Sequence, residues 1–262
     1  MKNLLLKITD RISIILLSIF LVCLTLGAII IPLTASKGYY EYQFKKNNTV
    51  EQLKWNYREN GKYHTIEYTE EDLGEIIEAI IEYLMDDRDS MQVEVDGKTV
   101  FSNQALIHMK DVKVLYQTSI LLLNIVFFLT IGILVYIYFR FKYIKPIMFK
   151  YSLITFGIIL SICAIMGIWI LLDWEKAFEF FHKVIFPDPI KFRDAFFGWK
   201  SYYEELPHIN NVVLVTVLST STFMDAAIII ISGTLVTYIL YLVLTILIKK
   251  EIIFKPKEKQ PN

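Results

Sequence analysis

Apolar residues gather in four long blocks along this chain: Ile12 to Thr34, Ser119 to Phe139, Ser152 to Leu172 and Ala226 to Ile248. Each is close to the roughly 20 residues a helix needs to cross about 30 Å of hydrocarbon. A backbone in lipid has to satisfy its own polar groups, so the blocks predict four spanning helices. Between the first two blocks the pattern changes. Leu73, Ile76, Ile77, Ile80, Ile81 and Leu84 recur at helical spacing behind Thr69 and Asp72, a capping-type start, and predict one amphipathic helix. Met91 to Glu94 and Thr99 to Phe101 flank Asp96-Gly97, a dipeptide that favours a tight type I′ turn, and predict a hairpin. Upstream of both, Tyr39, Tyr40, Tyr42 and Phe44 alternate with polar residues, which fits a further strand or an aromatic belt at a membrane interface.

The expected fold is an α-helical integral membrane protein with four transmembrane helices and a small α+β extracytoplasmic cap between the first two. Residues 1–34 hold the N-terminus and the first span, and 35–118 the cap. Residues 119–172 hold the second and third spans with their connector. An interfacial segment follows over 173–225, and 226–262 hold the fourth span and the tail. A first block preceded by Lys2 and Lys7 resembles a signal peptide in its charge, but its apolar run is too long and it reads as a retained anchor.

Composition agrees with this reading, since 55% apolar residues and a mean hydropathy of +0.45 exceed those of an ordinary soluble domain. Charge orients it. The formal net charge is zero, yet Arg140, Lys142, Lys145 and Lys150 crowd the connector between spans two and three without an acid. Lys249, Lys250, Lys255, Lys257 and Lys259 crowd the tail. By the positive-inside rule both termini and that connector face the cytoplasmic side of a cell membrane, and the acidic segment 35–118 faces outward. Cys23 and Cys163 fall inside predicted spans, where a small buried apolar residue is the expected role. No basic face interleaved with aromatics points to nucleic acid.

The chemistry-bearing residues collect on the outer side. In HMKDVKVLY, ahead of the second span, His108 and Asp111 lie at i and i+3, so one helix face brings the carboxylate within reach of the imidazole. Acids near a helix start and lysines near an interface also have purely structural uses. His64, His182 and His208 all fall on the same predicted side, His182 within the aromatic stretch FEFFHKVIF. There is no HExxH, no Gly-x-Ser-x-Gly elbow and no glycine-rich phosphate loop. A metal held by His108, Asp111 and His182 is conceivable, but their spacing does not favour it, and no cofactor is expected.

The run YTEEDLGEIIEAIIEYL, the hairpin after it and FSNQALIHMKDVKVLY entering a span together resemble the bacterial lipoprotein intramolecular transacylase family. FEFFHKVIF is similar to its second histidine motif, and STFMDAAIII, with Asp225 at the mouth of span four, to its third. The resemblance runs from about Tyr63 to Ile230. It departs from the family pattern after His182, where FPDPIKF follows, and before Phe223, where the residues are Ser and Thr.

The resemblance implies an acyl transfer at the outer leaflet. The substrate is a lipoprotein whose N-terminal cysteine carries a diacylglyceryl group and a free α-amine, and the sn-2 acyl chain moves to that amine, leaving a lyso-form lipoprotein. The catalytic residues implied are His108, with Asp111 orienting it, and His182. Lys113 or Tyr116 would support the oxyanion, and Asp225 would hold the substrate's ammonium. Besides lipoproteins, only membrane lipid is implied as a partner. Two other readings stay open: a non-enzymatic protein whose outer cap binds a partner or senses a signal, and a metal-dependent membrane hydrolase.

Overall fold

The computed structural model describes residues 2–59, 62–173, 176–177, 180, 184, 213–214 and 216–250. In chain order its elements are α1 (Lys2–Thr34), α2 (Lys37–Asn47), α3 (Thr49–Gln52), β1 (Trp55–Glu59), β2 (Lys62–Ile66), α4 (Glu70–Met85), β3 (Glu94–Val95), β4 (Lys98–Thr99), α5 (Asn103–Leu172) and α6 (Thr220–Lys249). The chain is mostly helical, and α1, α5 and α6 are long and apolar enough to cross a membrane. It divides into two compact units. One gathers Met1–Ile29, Leu121–Leu172 and Ile229–Asn262, and the other gathers Ile30–Ile120 and Asp173–Ile228.

In the first unit α5 is the unexpected element. Where a connector was predicted at 140–151, helical backbone continues, with Pro146 inside it. The segment contains no glycine, and its Arg, Lys, Met and Phe are all compatible with a helix. The run is nevertheless not straight. A Cβ at Gly27 would meet Leu123, and Asp10 binds Arg140, so Leu123 to Arg140 runs antiparallel to the equally long stretch Asp10 to Gly27. A straight continuation would carry Ser152 about 18 Å beyond Arg140, away from the rest of α1. Instead the Tyr238 hydroxyl, which meets Ser18 of α1, donates to the Ser152 carbonyl at 3.1 Å. Ile14 and Leu17 pack in one cluster with Ile137, Ile144 and Met148. The helical run therefore folds back on itself between Arg140 and Ser152.

The second unit is organised by α4. Thr69 caps it with the predicted reciprocal box: its Oγ1 accepts from the Asp72 amide at 3.1 Å, and Asp72 Oδ2 accepts from the Thr69 amide at 2.7 Å. Leu73, Ile76, Ile77 and Ile80 are at most 2% exposed. They enter one core with Phe44, Met91, Val100, Phe101, Ala105, Met109, Val213 and Val217. At about 1.5–3 kcal/mol per buried aliphatic side chain, this stripe is the main stabilising contribution of α4. The hairpin at Asp96-Gly97 is present but shorter than predicted, pairing only Glu94 with Thr99 and Val95 with Lys98. Positive φ angles at Asp96 (51°) and Gly97 (72°) are what a type I′ turn requires.

Two features differ from the sequence reading. The stretch with Tyr39, Tyr40, Tyr42 and Phe44 is not a strand; it lies in α2, whose N-cap Ser36 accepts from the Tyr39 amide at 3.2 Å. Its inward face is Tyr39, Tyr40, Gln43, Phe44 and Asn47, a helical spacing that the aromatic alternation conceals because two of the five are amides. A second hairpin, Trp55 to Glu59 against Lys62 to Ile66, was not predicted. Its sequence signal is Asn60-Gly61, a favoured two-residue hairpin dipeptide lying between runs of suitable length.

Candidate active site

His108 and Asp111 sit in the first turns of α5, one turn apart and each half-buried. The Ser102 Oγ accepts from the Ala105 amide at 3.1 Å, satisfying one of the open donors at the start of this helix. Ala105 and Met109 are buried, and Val112 and Tyr116 pack against the same core. This apolar stripe fixes the rotation of α5, and His108 and Asp111 border it on one side.

Lys113, Tyr116 and Gln117 reach the C-terminal end of α4. Lys113 Nζ pairs with Asp86 Oδ1 at 2.6 Å, lies 4.5 Å from the centre of the Tyr83 ring and approaches the Arg88 carbonyl at 3.5 Å. Asp86 is the left-handed C-cap of α4, with φ of 70°. Gln117 Nε2 donates to the Leu84 carbonyl at 2.6 Å, and the Tyr116 hydroxyl contacts Met85 Sδ at 3.7 Å. A cation and an amide at this end answer the open carbonyls and the negative pole of the helix. Gln117 and Asp86 were not foreseen as partners, because a contact between residues so far apart in sequence leaves no local pattern.

Asp225 lies in the first turns of α6 and is bound from α2. Gln43 Nε2 donates to Asp225 Oδ2 at 2.7 Å, and Lys46 forms an ion pair with the same oxygen. Tyr39 donates to the Thr222 carbonyl at 2.6 Å, and Asn47 Nδ2 donates to Ser219 Oγ at 3.3 Å. Gln43 is 1% exposed and Thr222 3%. Tyr40 lies beside both Tyr39 and Tyr116, and burial pushes its hydroxyl pKa up to about 12, with the two neighbouring tyrosines adding to the effect. A chain of tyrosines thus lies between the surroundings of Asp225 and those of Lys113. His64 falls in β2, opposite Tyr57. His182 and His208 lie outside the described residues.

These features define an integral membrane protein with a half-buried histidine and carboxylate at the head of a long apolar helix. The chain belongs to the lipoprotein intramolecular transacylase Lit family, whose model matches residues 12–190, more than half of its length. No curated protein matches it. Among solved structures it is similar to the membrane integral lipoprotein intramolecular transacylase Lit from Bacillus cereus, with 19% identity, TM-score 0.65, and coverage of 93% of this chain and 98% of that one. Two variants of the same Bacillus cereus protein, with a histidine replaced by arginine or by alanine, match similarly. The arginine variant gives 18% identity, TM-score 0.64 and coverage of 96% and 97%. The alanine variant gives 17% identity, TM-score 0.67 and coverage of 96% and 99%. At these identities the likeness to the solved structures establishes the fold.

Proposed function

We propose that this protein moves the sn-2 acyl chain of a diacylglyceryl lipoprotein onto the α-amine of its N-terminal cysteine, giving a lyso-form, N-acylated product. The observation that carries the reading is the family match over residues 12–190, which includes His108 and Asp111 one turn apart on α5. The chain crosses the membrane four times in this reading, with α5 supplying two crossings through its reversal. The basic residues at 140–150 and 249–259 support a reading with both termini inside and the reacting groups at the outer leaflet.

Donor and acceptor belong to one molecule, so holding them together supplies much of the rate. The amine nitrogen attacks the sn-2 ester carbonyl and forms a tetrahedral oxyanion. An amide C–N bond forms, the ester C–O bond breaks, and one proton passes from nitrogen to the departing glyceryl oxygen. His108 carries that proton, with Asp111 orienting and stabilising its imidazolium. His182 acts as a second acid–base group or as a donor to the oxyanion.

Lys113 and Tyr116 support the oxyanion as well. Lys113 brings a cation to this end of α5, where it meets Asp86 and the Arg88 carbonyl. Tyr116 gives up only a weak contact to sulfur. Asp225 holds the substrate's ammonium until one proton leaves it for solvent and frees the amine that attacks; the second proton is the one His108 carries to the glyceryl oxygen.

The test is expression in a bacterium that makes only diacylglyceryl lipoproteins, followed by fragmentation of an N-terminal lipopeptide in the mass spectrometer. The intact mass stays constant, because the reaction is an isomerisation. One acyl group should appear on the cysteine nitrogen with the wild-type chain and not with His108→Ala. Two esters and a free amine in both samples would overturn the reading in favour of a binding protein.

A further inference from the structure

Asp225 is held by two side chains that sit one turn apart on α2 and differ in kind. Gln43 is 1% exposed, donates through Nε2 to Asp225 Oδ2 at 2.7 Å, and accepts at Oε1 from Asn47 Nδ2 at 3.4 Å. It is fixed by packing on a helix that is itself tied to α6 through Tyr39 and Asn47. Lys46 is a flexible side chain, 40% exposed, pairing with a carboxylate that is 27% exposed. The carboxylate beside it raises the Lys46 pKa, so the group is an ammonium throughout the physiological range. Both bonds use Oδ2, and the carboxylate as a whole is partly exposed.

From this arrangement we infer that Lys46 is a placeholder for a primary ammonium ligand: it neutralises Asp225 while the site is empty and gives way to the α-ammonium of the substrate, with Gln43 as the positioning residue that holds the carboxylate through the exchange. The inference rests on the proposed transacylase reading for the identity of the ligand, but not for the exchange itself. Replacing one ammonium by another conserves charge, so Asp225 is not left bare during the exchange at a partly buried position, where an uncompensated charge is costly. The exposed pair it replaces is weak, so a ligand with contacts of its own can displace it. Gln43, being neutral and buried, keeps its bond to the carboxylate in both states.

The experiment uses the full chain in detergent micelles with two synthetic S-diacylglyceryl-cysteine peptides, one with a free α-amine and one N-acetylated. Rates on the first give KM, and direct binding is measured for both. In Lys46→Met the placeholder is gone, and KM and Kd for the free-amine peptide should fall about two- to fivefold, the range of an exposed ion pair. Kd for the acetylated peptide should not move. Lys46→Arg, which restores the pair, should return the free-amine values toward wild type, and Gln43→Leu should weaken binding of the free-amine peptide selectively. A merely structural pair would instead lower thermal stability and leave the ratio of the two Kd values unchanged, which would overturn the inference. If the wild-type chain binds both peptides but converts neither, the transacylase reading fails, and the ratio of the Kd values still decides the role of Lys46.

Discussion

Arg140 holds both carboxylate oxygens of Asp10, with Nε at 3.1 Å from Oδ1 and Nη2 at 2.8 Å from Oδ2, while the Tyr136 hydroxyl adds a third bond to Oδ1 at 2.8 Å. Asp10 is 3% exposed in a helix otherwise dominated by apolar side chains. The geometry is the bidentate one in which arginine cannot be replaced by lysine without loss. The pair joins α1 to α5 just before α5 folds back, so it fixes the axial register of the two helices. Removing one partner strands a buried charge, which typically costs about 3–5 kcal/mol. Arg140 is 22% exposed, so solvent screens part of the loss in Arg140→Ala, which should be the smaller of the two single losses. Thermal unfolding in detergent should show a large loss for Asp10→Ala, and a smaller loss for Asp10→Leu combined with Arg140→Met than for either single change.

At the proposed site, general acid–base catalysis is worth about 10²- to 10⁴-fold. His108→Ala should lower the rate of N-acylation by that factor with little change in the unfolding temperature, because a half-buried residue at the edge of the apolar stripe contributes little to the core. Asp111→Asn keeps the size and loses the charge, and it should lower the rate less than His108→Ala does. Equal activity of wild type and His108→Ala in the lipopeptide assay would remove His108 from the mechanism.

Gln117 and Lys113 give a prediction that separates support of α4 from catalysis. Gln117→Ala removes the donor to the Leu84 carbonyl and should cost about 1 kcal/mol. Hydrogen exchange should quicken in the last turn of α4 in this variant and stay unchanged in His108→Ala. Lys113→Met should quicken the same amides and also slow acyl transfer, because Lys113 serves both the helix end and the oxyanion in the proposed mechanism. Quickened exchange alone, with the rate intact, would assign Lys113 to structure.

Local signals were legible where local physics decides. Thr69 and Asp72 form their capping box, and Asp96-Gly97 turns its hairpin, because both depend on residues within a few positions of one another. The apolar blocks fall within α1, α5 and α6 for the same reason. The α2 helix was obscured because its inward face carries Gln43 and Asn47, whose partners Asp225 and Ser219 lie at the far end of the chain. Lys113 or Tyr116 was implied by the resemblance as a support for the oxyanion; the structure shows both also answering the end of α4, a demand that appears only once α4 and α5 are packed. His108 was reached by spacing and by family resemblance together; the i, i+3 step to Asp111 alone does not separate a reacting pair from a helix-start acid.

Glycines in the long helices make the last prediction, because the four glycines of α5 and α6 and the one in α1 stand in different surroundings. A Cβ at Gly27 would lie 2.4 Å from Leu123 Cδ1, 2.9 Å from Cδ2 and 3.2 Å from Cγ, whereas a Cβ at Gly132 would meet nothing within 4 Å. Gly27→Ala pushes only on the end of a flexible side chain, so Leu123 can change rotamer at small cost. Gly27→Val adds branched bulk where α1 and α5 approach closely and should cost about 1–3 kcal/mol, as overpacking does. Leu123→Ala in the same chain removes the three atoms that would be struck and should recover most of the loss. Gly132→Ala should be neutral or stabilising by up to about 1 kcal/mol, from helix propensity alone. Thermal unfolding of the four variants checks the contact. A loss in Gly27→Val that Leu123→Ala fails to relieve would mean that Leu123 is not the side chain packed against Gly27.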